Sequence, residues 1–74
     1  MERTPVNSSV IAAISYDPST NTLEIEFRTG RTYRFFMVPQ TEYAALLQSD
    51  SIGRYFNQKI RNRYPTEEIE GARS

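Results

Sequence analysis

The chain has 74 residues, with nine basic and nine acidic side chains and neither cysteine nor histidine. Its length allows one small domain, which buries only about 60–65% of the surface that its unfolded chain exposes. The missing cysteines exclude a disulfide and a thiolate metal site, and the missing histidines exclude the usual general base and zinc ligand. No apolar run approaches the ~20 residues of a membrane span, and the N-terminus lacks a signal-peptide core. We expect a cytoplasmic protein without metal, cofactor or membrane contact.

The first predicted strand covers residues 9–16. Residues 1–7 precede it, and because they lack periodicity and include Pro5 we expect them to be flexible. Regular alternation assigns to one face of the strand Val10, Ala12, Ile14 and Tyr16, and to the other Ile11, Ala13 and Ser15. Since both sets are fairly apolar, the strand is expected to be central or to be covered on both sides.

A hairpin about Gly30 follows, with predicted strands at residues 22–28 and 31–38. The turn at residues 17–21 joins it to the first strand, because Pro18 presets its own φ and favours a reversal of the chain. Apolar and charged side chains alternate through Leu23, Glu24, Ile25, Glu26, Phe27 and Arg28. The two short connections predict a three-stranded antiparallel meander.

The register of this hairpin can be argued from the length of its loop. A two-residue loop of Thr29 and Gly30 would pair Phe27 with a threonine and mix aromatic and polar positions on one face. A three-residue loop ending in a left-handed Gly30 instead produces the pairs Ile25–Tyr33, Leu23–Phe35 and Glu24–Arg34. A slip of one residue would turn the whole apolar set towards water, so we predict the three-residue loop.

Two helices are predicted after the hairpin, at residues 39–48 and 52–63. Pro39 suits the first position of the first helix, where its missing N–H costs nothing. Apolar side chains recur at helical spacing as Tyr43, Leu46 and Leu47, and then as Ile52, Tyr55, Phe56 and Ile60. Tyr64 and Pro65 should stop the second helix after about Arg63, because a residue before proline disfavours the α region.

Together these elements predict an α+β fold with a single domain at residues 8–65. It is a two-layer sandwich in which both C-terminal helices pack against the apolar face of the three-stranded meander. Residues 66–74 follow as a flexible acidic tail. Within the domain, three tyrosines are expected to pack their rings in the core with the hydroxyls at its edge, namely Tyr33, Tyr43 and Tyr55.

Several short motifs of the chain occur in the order and spacing of a known family. They are Ser8-Ser9, Tyr16-Asp17, Leu23–Phe27, Gly30, Tyr33-Arg34-Phe35, Val38-Pro39, Tyr43, Ser51–Asn57 and Ile60-Arg61. This set resembles the KTSC domain, a small domain named for its occurrence at the C-terminus of some lysyl-tRNA synthetases and also found alone in bacterial and phage-related proteins. The resemblance implies the α+β fold and suggests RNA binding.

The second predicted helix carries the main candidate for RNA binding. From residue 54 to residue 63 the chain contains basic residues and no acid. The candidate phosphate contacts are Arg54, Gln58, Lys59 and Arg61. On the sheet face away from the helices, Phe36 lies beside Arg34, and this pair could stack on bases. The partner that this hypothesis predicts is tRNA or single-stranded RNA.

A candidate anion site lies at the start of the same helix. Backbone N–H groups and a guanidinium converge there from Ser51, Gly53 and Arg54. The alternative is that the glycine only lets the first helical turn pack closely. Catalysis is not expected, because the hydroxyls of Ser8 and Ser9 have no nearby base in the sequence to activate them.

A protein-interaction module is the alternative function. A candidate apolar patch on the open sheet face consists of Ile11, Ala13, Phe36 and Val38. An exposed edge strand offers a second way to bind, because it can pair with a strand of another chain. The sequence therefore leaves two kinds of partner open, RNA on one side and a protein or a second copy of the chain on the other.

Overall fold

The computed structural model describes residues 4–69, and this part of the chain forms one sheet covered on one face by helices. The elements in chain order are β1 Thr4–Pro5, β2 Ile11–Asp17, β3 Thr22–Phe27, β4 Thr32–Phe35, α1 Gln40–Gln48, α2 Ile52–Tyr55, a π-helical turn Phe56–Ile60 and β5 Thr66–Ile69. Each strand pairs antiparallel with the next, so the order in the sheet is the order in the chain. We refer to residues 52–60 as the last helix.

The predicted α+β architecture is confirmed, but the sheet has five strands rather than three. β5 lies in the segment that was predicted to be a flexible acidic tail, and β1 lies in the predicted flexible N-terminus. β5 escaped prediction because its sequence, Thr-Glu-Glu-Ile, has one apolar residue and therefore no alternation. It forms by pairing with β4, where Tyr33 lies opposite Glu68. Residues 1–3 and 70–74, which also belong to the two predicted flexible ends, lie outside the described part of the chain.

The hairpin between β3 and β4 has the predicted three-residue loop and register. The cross-strand pairs are Leu23–Phe35, Glu24–Arg34 and Ile25–Tyr33. Gly30 has a φ of 98°, which a residue with a side chain rarely adopts, and its N–H donates to the Phe27 carbonyl at 2.9 Å. β4 ends at Phe35, earlier than the predicted residue 38, because the backbone of Met37 turns to a φ of 61°.

A β-bulge in β2 overturns the regular alternation that the sequence predicts there. The register against β3 shifts between Ile11 and Ala13, so that β2 carries one extra residue. As a result Ile11 and Ile14 both point into the core and are 0% exposed, although regular alternation puts them on opposite faces. Val10, predicted to share the face of Ile14, is 48% exposed.

The hydrophobic core lies between the sheet and the helices. Its buried members are Ile11, Ile14, Leu23, Ile25, Phe35, Val38, Leu46, Phe56 and Ile60. Full burial of one such side chain contributes about 1.5–3 kcal/mol, so this layer is the main stabilising feature of a domain that has no disulfide. The three tyrosines predicted to pack on the core do so.

The last helix is not the uniform helix predicted at residues 52–63. α2 ends at Tyr55, and the next residues form a π-helical turn in which the Arg61 N–H donates to the Phe56 carbonyl at 2.9 Å. Phe56 and Ile60, which are four residues apart and so share one side of this turn, are both buried in the core. α1 agrees with its prediction except that Pro39 is the N-cap and Gln40 the first helical residue.

Candidate nucleic-acid interface

A groove of about 890 Å³ runs between the tip of the β3–β4 hairpin and the last helix; we call it the main groove. Its walls come from the approach to β2, the hairpin, the end of the last helix and the segment leading into β5. The lining residues are Ser9, Val10, Phe27, Arg28, Thr29, Arg31, Tyr33, Phe35, Phe56, Asn57, Arg61, Asn62, Tyr64 and Thr66. Four separate segments of the chain therefore meet here.

The main groove is positively charged. Arg28 and Arg31 reach it from the hairpin and Arg61 reaches it from the C-cap of the last helix, and all three residues are exposed. Within residues 4–69, no carboxylate lines this groove. Since a protein surface with one sign of charge concentrates ligands of the opposite sign, the main groove favours an anion.

Each of these guanidiniums is oriented by a hydrogen bond and keeps further donors. The Arg28 Nε donates to the Ser8 carbonyl at 2.6 Å, and the Arg61 Nη1 donates to the Asn57 Oδ1 at 3.3 Å. The Arg31 Nη1 lies 3.3 Å from the Glu68 Oε2. A guanidinium carries five N–H donors, so these contacts fix the direction of each side chain and leave donors for a ligand.

The floor of the main groove is aromatic. The ring of Phe27 meets the ring of Tyr33 edge to face at 5.7 Å and the ring of Phe56 edge to face at 5.4 Å. Phe35 contacts Phe56 in the same way at 5.4 Å. Phe35 and Phe56 are buried, whereas Phe27 and Tyr33 are half-buried and so present ring surface to the groove. Such edge-to-face contacts hold the rings in defined orientations.

A second groove of about 540 Å³ adjoins the main groove and shares with it Ser9, Val10 and Asn57. Arg54 and Gln58, two of the predicted phosphate contacts, line this second groove. The two grooves therefore lie side by side along the last helix, and each is lined by at least one arginine.

The candidate anion site at the start of α2 lies in the second groove. The hydroxyl of Ser51 accepts a hydrogen bond from the Arg54 N–H at 3.3 Å, so one of the N–H groups expected to bind an anion is already used as a helix cap. A Cβ on Gly53 would lie 3.6 Å from the Ser8 Oγ and 3.8 Å from the Val10 Cβ, which are ordinary contacts. Close packing therefore does not require a glycine at this position.

The six residues predicted as nucleic-acid contacts lie in different places. Arg61 lines the main groove, Arg54 and Gln58 line the second groove, and Lys59 lines neither. The remaining two, Arg34 and Phe36, line a third groove of about 490 Å³ on the other face of the sheet. The last helix and the open face are therefore separate surfaces.

Arg34 is held by an ion pair on the open face. Its Nη2 lies 2.8 Å from the Glu24 Oε2 and its Nε lies 3.1 Å from the same oxygen, as the predicted cross-strand pair implies. Glu24 is 8% exposed. Part of the donor capacity of Arg34 is therefore used within the sheet, which makes this guanidinium less available to a ligand than those of Arg28 and Arg61, which have no ion pair among the described residues.

The predicted apolar patch on the open face is wrong. Ile11 and Val38, two of its four members, are 0% exposed and belong to the core. The bulge in β2 turns Ile11 inwards, and the turn at Met37 does the same for Val38. The open face instead has a polar centre, formed by Ser15, Glu24, Thr32 and Arg34.

Arg28 and Arg31 were not among the residues predicted to contact a ligand. The three-residue loop brings both arginines to the tip of the hairpin, but nothing in the sequence shows that this tip faces the last helix. Within residues 4–69, no cluster of carboxylates could hold a metal ion, and no helix is long and apolar enough to span a bilayer.

A five-stranded antiparallel sheet covered on one face by helices is the fold of a known family of small domains. A model of the KTSC domain family matches residues 7–64, and the chain belongs to this family. The crystal structure of a KTSC domain protein from Yersinia pestis superposes with a TM-score of 0.89 at 37% identity, covering 92% of this chain and 96% of that one.

Two relatives illustrate the settings in which similar sequences occur. An uncharacterised protein of Stutzerimonas stutzeri is 41% identical over 64 residues, which are 86% of this chain and 90% of that protein. A protein of Nostoc sp. named lysine–tRNA ligase is 38% identical over 61 residues, which are 82% of this chain but only 11% of that protein. Similar sequences thus occur as nearly whole proteins and as a small part of a long one.

Proposed function

We propose that this domain is a non-enzymatic module that binds RNA in the main groove. The observation that carries the proposal is that Arg28, Arg31 and Arg61, from two distant parts of the chain, line one groove without a carboxylate among the described lining residues. Three guanidiniums on one surface suit a polyanion better than a single small anion, because they neutralise several phosphates in a row.

Two features favour RNA over other polyanions. The groove has an aromatic floor. Aromatic rings stack on nucleobases, whereas a polysulfate or polyphosphate chain offers no ring to stack on. In addition, the similarity extends to proteins named lysine–tRNA ligases, and tRNA is the nucleic acid in that name. Both tRNA and single-stranded RNA are candidate ligands.

A titration of fluorescently labelled tRNA and of a labelled single-stranded RNA at two salt concentrations tests the proposal. Three phosphate contacts to a single strand predict that affinity falls roughly 20-fold between 50 and 200 mM salt. We expect micromolar binding at the lower salt concentration with that dependence. Absence of binding to either RNA at low salt would refute the proposal.

A second candidate function is docking of a protein partner, or self-association, on the open face. The observation that favours it is Met37, which is 72% exposed beside Phe36 although its φ of 61° is unfavourable for methionine. Backbone strain that exposes an apolar side chain is often retained for binding. The outer edge of β5 offers a strand for pairing in the same region of the sheet.

Sedimentation at several protein concentrations without RNA tests this second candidate. If the open face self-associates, the mass should rise with concentration for the wild type and not for Met37→Ser. A constant monomer mass would exclude self-association through this face, and the search would then turn to other proteins.

A further inference from the structure

Phosphate binding by the arginines gives no role to the aromatic residues that form the floor of the main groove. Tyr33 is half-buried there and has a single aromatic neighbour in the described part of the chain, Phe27. One side of its ring is therefore not covered by another ring. A partly exposed aromatic ring that lines a groove beside arginines is suited to stacking on an unpaired base.

Among the described residues, the Tyr33 hydroxyl makes no internal bond, unlike the hydroxyls of three other tyrosines near the core edge. Tyr16 donates to the Val38 carbonyl at 2.6 Å, and Tyr55 and Tyr64 both donate to Glu42. Within residues 4–69, the Tyr33 hydroxyl has no hydrogen-bond partner. A hydroxyl at the edge of a groove and without an internal partner is free to bond to a ribose or a base.

We infer that the main groove holds one unpaired base of a single-stranded RNA, stacked on Tyr33, while the flanking phosphates contact Arg28 and Arg61. This inference rests on the proposed function and names the form of RNA that the groove takes. In a duplex the faces of the bases are stacked on each other and unavailable, so a site built on ring stacking selects unpaired nucleotides. The volume of about 890 Å³ is within the range of about 300–1,000 Å³ typical of small-ligand sites.

Asn57 supplies a polar group beside the stacked base. Its Oδ1 accepts a hydrogen bond from the Arg61 Nη1 at 3.3 Å, which directs the amide and leaves its NH₂ donors for the groove. The NH₂ group matches the carbonyl and ring-nitrogen acceptors on the edge of a base. The main groove thus offers arginines for the phosphates, the Tyr33 ring for the face of the base and the Asn57 amide for its edge.

The test compares three labelled probes of equal length on the wild-type protein: oligouridylate, an abasic strand with the same number of phosphates, and the oligouridylate annealed to its complement. We expect the abasic strand and the duplex to bind about tenfold more weakly than the oligouridylate, which is the size of one lost stacking interaction. Tyr33→Leu should lose about tenfold for the oligouridylate and nothing for the abasic strand. Tyr33→Phe retains the stacking ring and loses only the hydroxyl, so it should lose less affinity than Tyr33→Leu.

Phe36→Leu is the matched control, because Phe36 is another half-buried aromatic residue but lies on the opposite face of the sheet. It should bind all three probes like the wild type. If Tyr33→Leu does not fold, the comparison of the three probes on the wild-type protein still shows whether an unpaired base contributes to binding. Equal affinity for the oligouridylate and the abasic strand would refute the stacked base and leave phosphate binding intact. No binding of any probe would refute the proposed function as well.

Discussion

The hydroxyl of Tyr64 donates a hydrogen bond of 3.0 Å to the Oε1 of Glu42, and this bond ties a wall of the main groove to α1. The other carboxylate oxygen of Glu42 accepts a 2.5 Å bond from Tyr55 in the last helix. One carboxylate therefore joins three segments: α1, the last helix and the connection to β5. The position of the groove depends on this junction as well as on the core.

The junction predicts a loss of stability at alkaline pH. The hydrogen bond to Glu42, followed by burial, raises the pKa of Tyr55 to about 12, and burial followed by the same carboxylate raises the pKa of Tyr64. In the unfolded chain both hydroxyls titrate near 10, so the folded state binds these protons more tightly. The stabilisation is complete below pH 10 and is lost as the pH rises from about 10 towards 12.

Urea unfolding at a series of pH values from neutral to 11.5 measures this effect. The wild type should lose stability between pH 10 and 11.5, and Tyr55→Phe should flatten the decline because it removes one of the two hydroxyl protons that the junction binds. Identical slopes for the two proteins above pH 10 would show that the junction does not control alkaline stability.

Because of the bulge in β2, truncating two adjacent aliphatic residues should change stability by very different amounts. Ile11→Ala removes a fully buried side chain and should cost about 2–5 kcal/mol of unfolding free energy. Val10→Ala changes a side chain that is 48% exposed and should stay within about 0.5 kcal/mol. Chemical denaturation of both variants checks this; comparable losses would mean that β2 follows regular alternation without the bulge.

The conformation of the hairpin loop predicts that any side chain at position 30 lowers the free energy of unfolding. A Cβ there would meet nothing within 4 Å, so the φ of 98° alone sets the effect of Gly30→Ala. We expect a loss of about 1–2 kcal/mol in thermal or urea unfolding. Thr29→Ala, at the exposed neighbouring position, is the control and should change little. An unchanged midpoint for Gly30→Ala would mean that the loop does not need a left-handed residue.

At Met37 the backbone conformation predicts a gain of stability when a glycine is introduced. The φ of 61° at Met37 is unfavourable for an L residue with a side chain, so Met37→Gly should relieve strain and raise stability by about 0.5–1 kcal/mol. Met37→Ala removes the same exposed side chain but keeps a Cβ, and it should show no comparable gain. A loss of stability in Met37→Gly would indicate that the methionine side chain stabilises the turn by contacts of its own.

The sequence predicts well the parts of the fold in which neighbouring residues decide the structure. The hairpin register follows from three alternating apolar residues and one glycine, because a slip would expose Leu23 and Ile25 to water. The bulge in β2 is not predictable in this way. Apolar residues occupy both faces of that strand, so alternation alone does not show which ones point inwards.

The candidate site depends on contacts between residues far apart in the chain, which explains why only part of it was predicted. Arg61 was found because basic residues cluster in the last helix. Arg28 and Arg31 were missed because their proximity to Arg61 depends on how the hairpin packs against the last helix. β5 was missed for a similar reason, since Thr66–Ile69 has little strand signal of its own and pairs with an existing edge.

The central claim is that RNA binds in the main groove and not wherever the surface is basic. Two double variants with the same change in net charge test it most directly: Arg28→Glu with Arg61→Glu in the groove, and Lys59→Glu with Arg63→Glu at exposed positions that line none of the three grooves. Their affinities for labelled single-stranded RNA are compared at one salt concentration, after circular dichroism has shown that both variants are folded.

We predict that the groove variant loses at least about tenfold in affinity, because two phosphate contacts become repulsive, and that the control variant stays within about twofold. Equal losses in the two variants would mean that only the total charge matters. Wild-type affinity in the groove variant would contradict the proposed site outright.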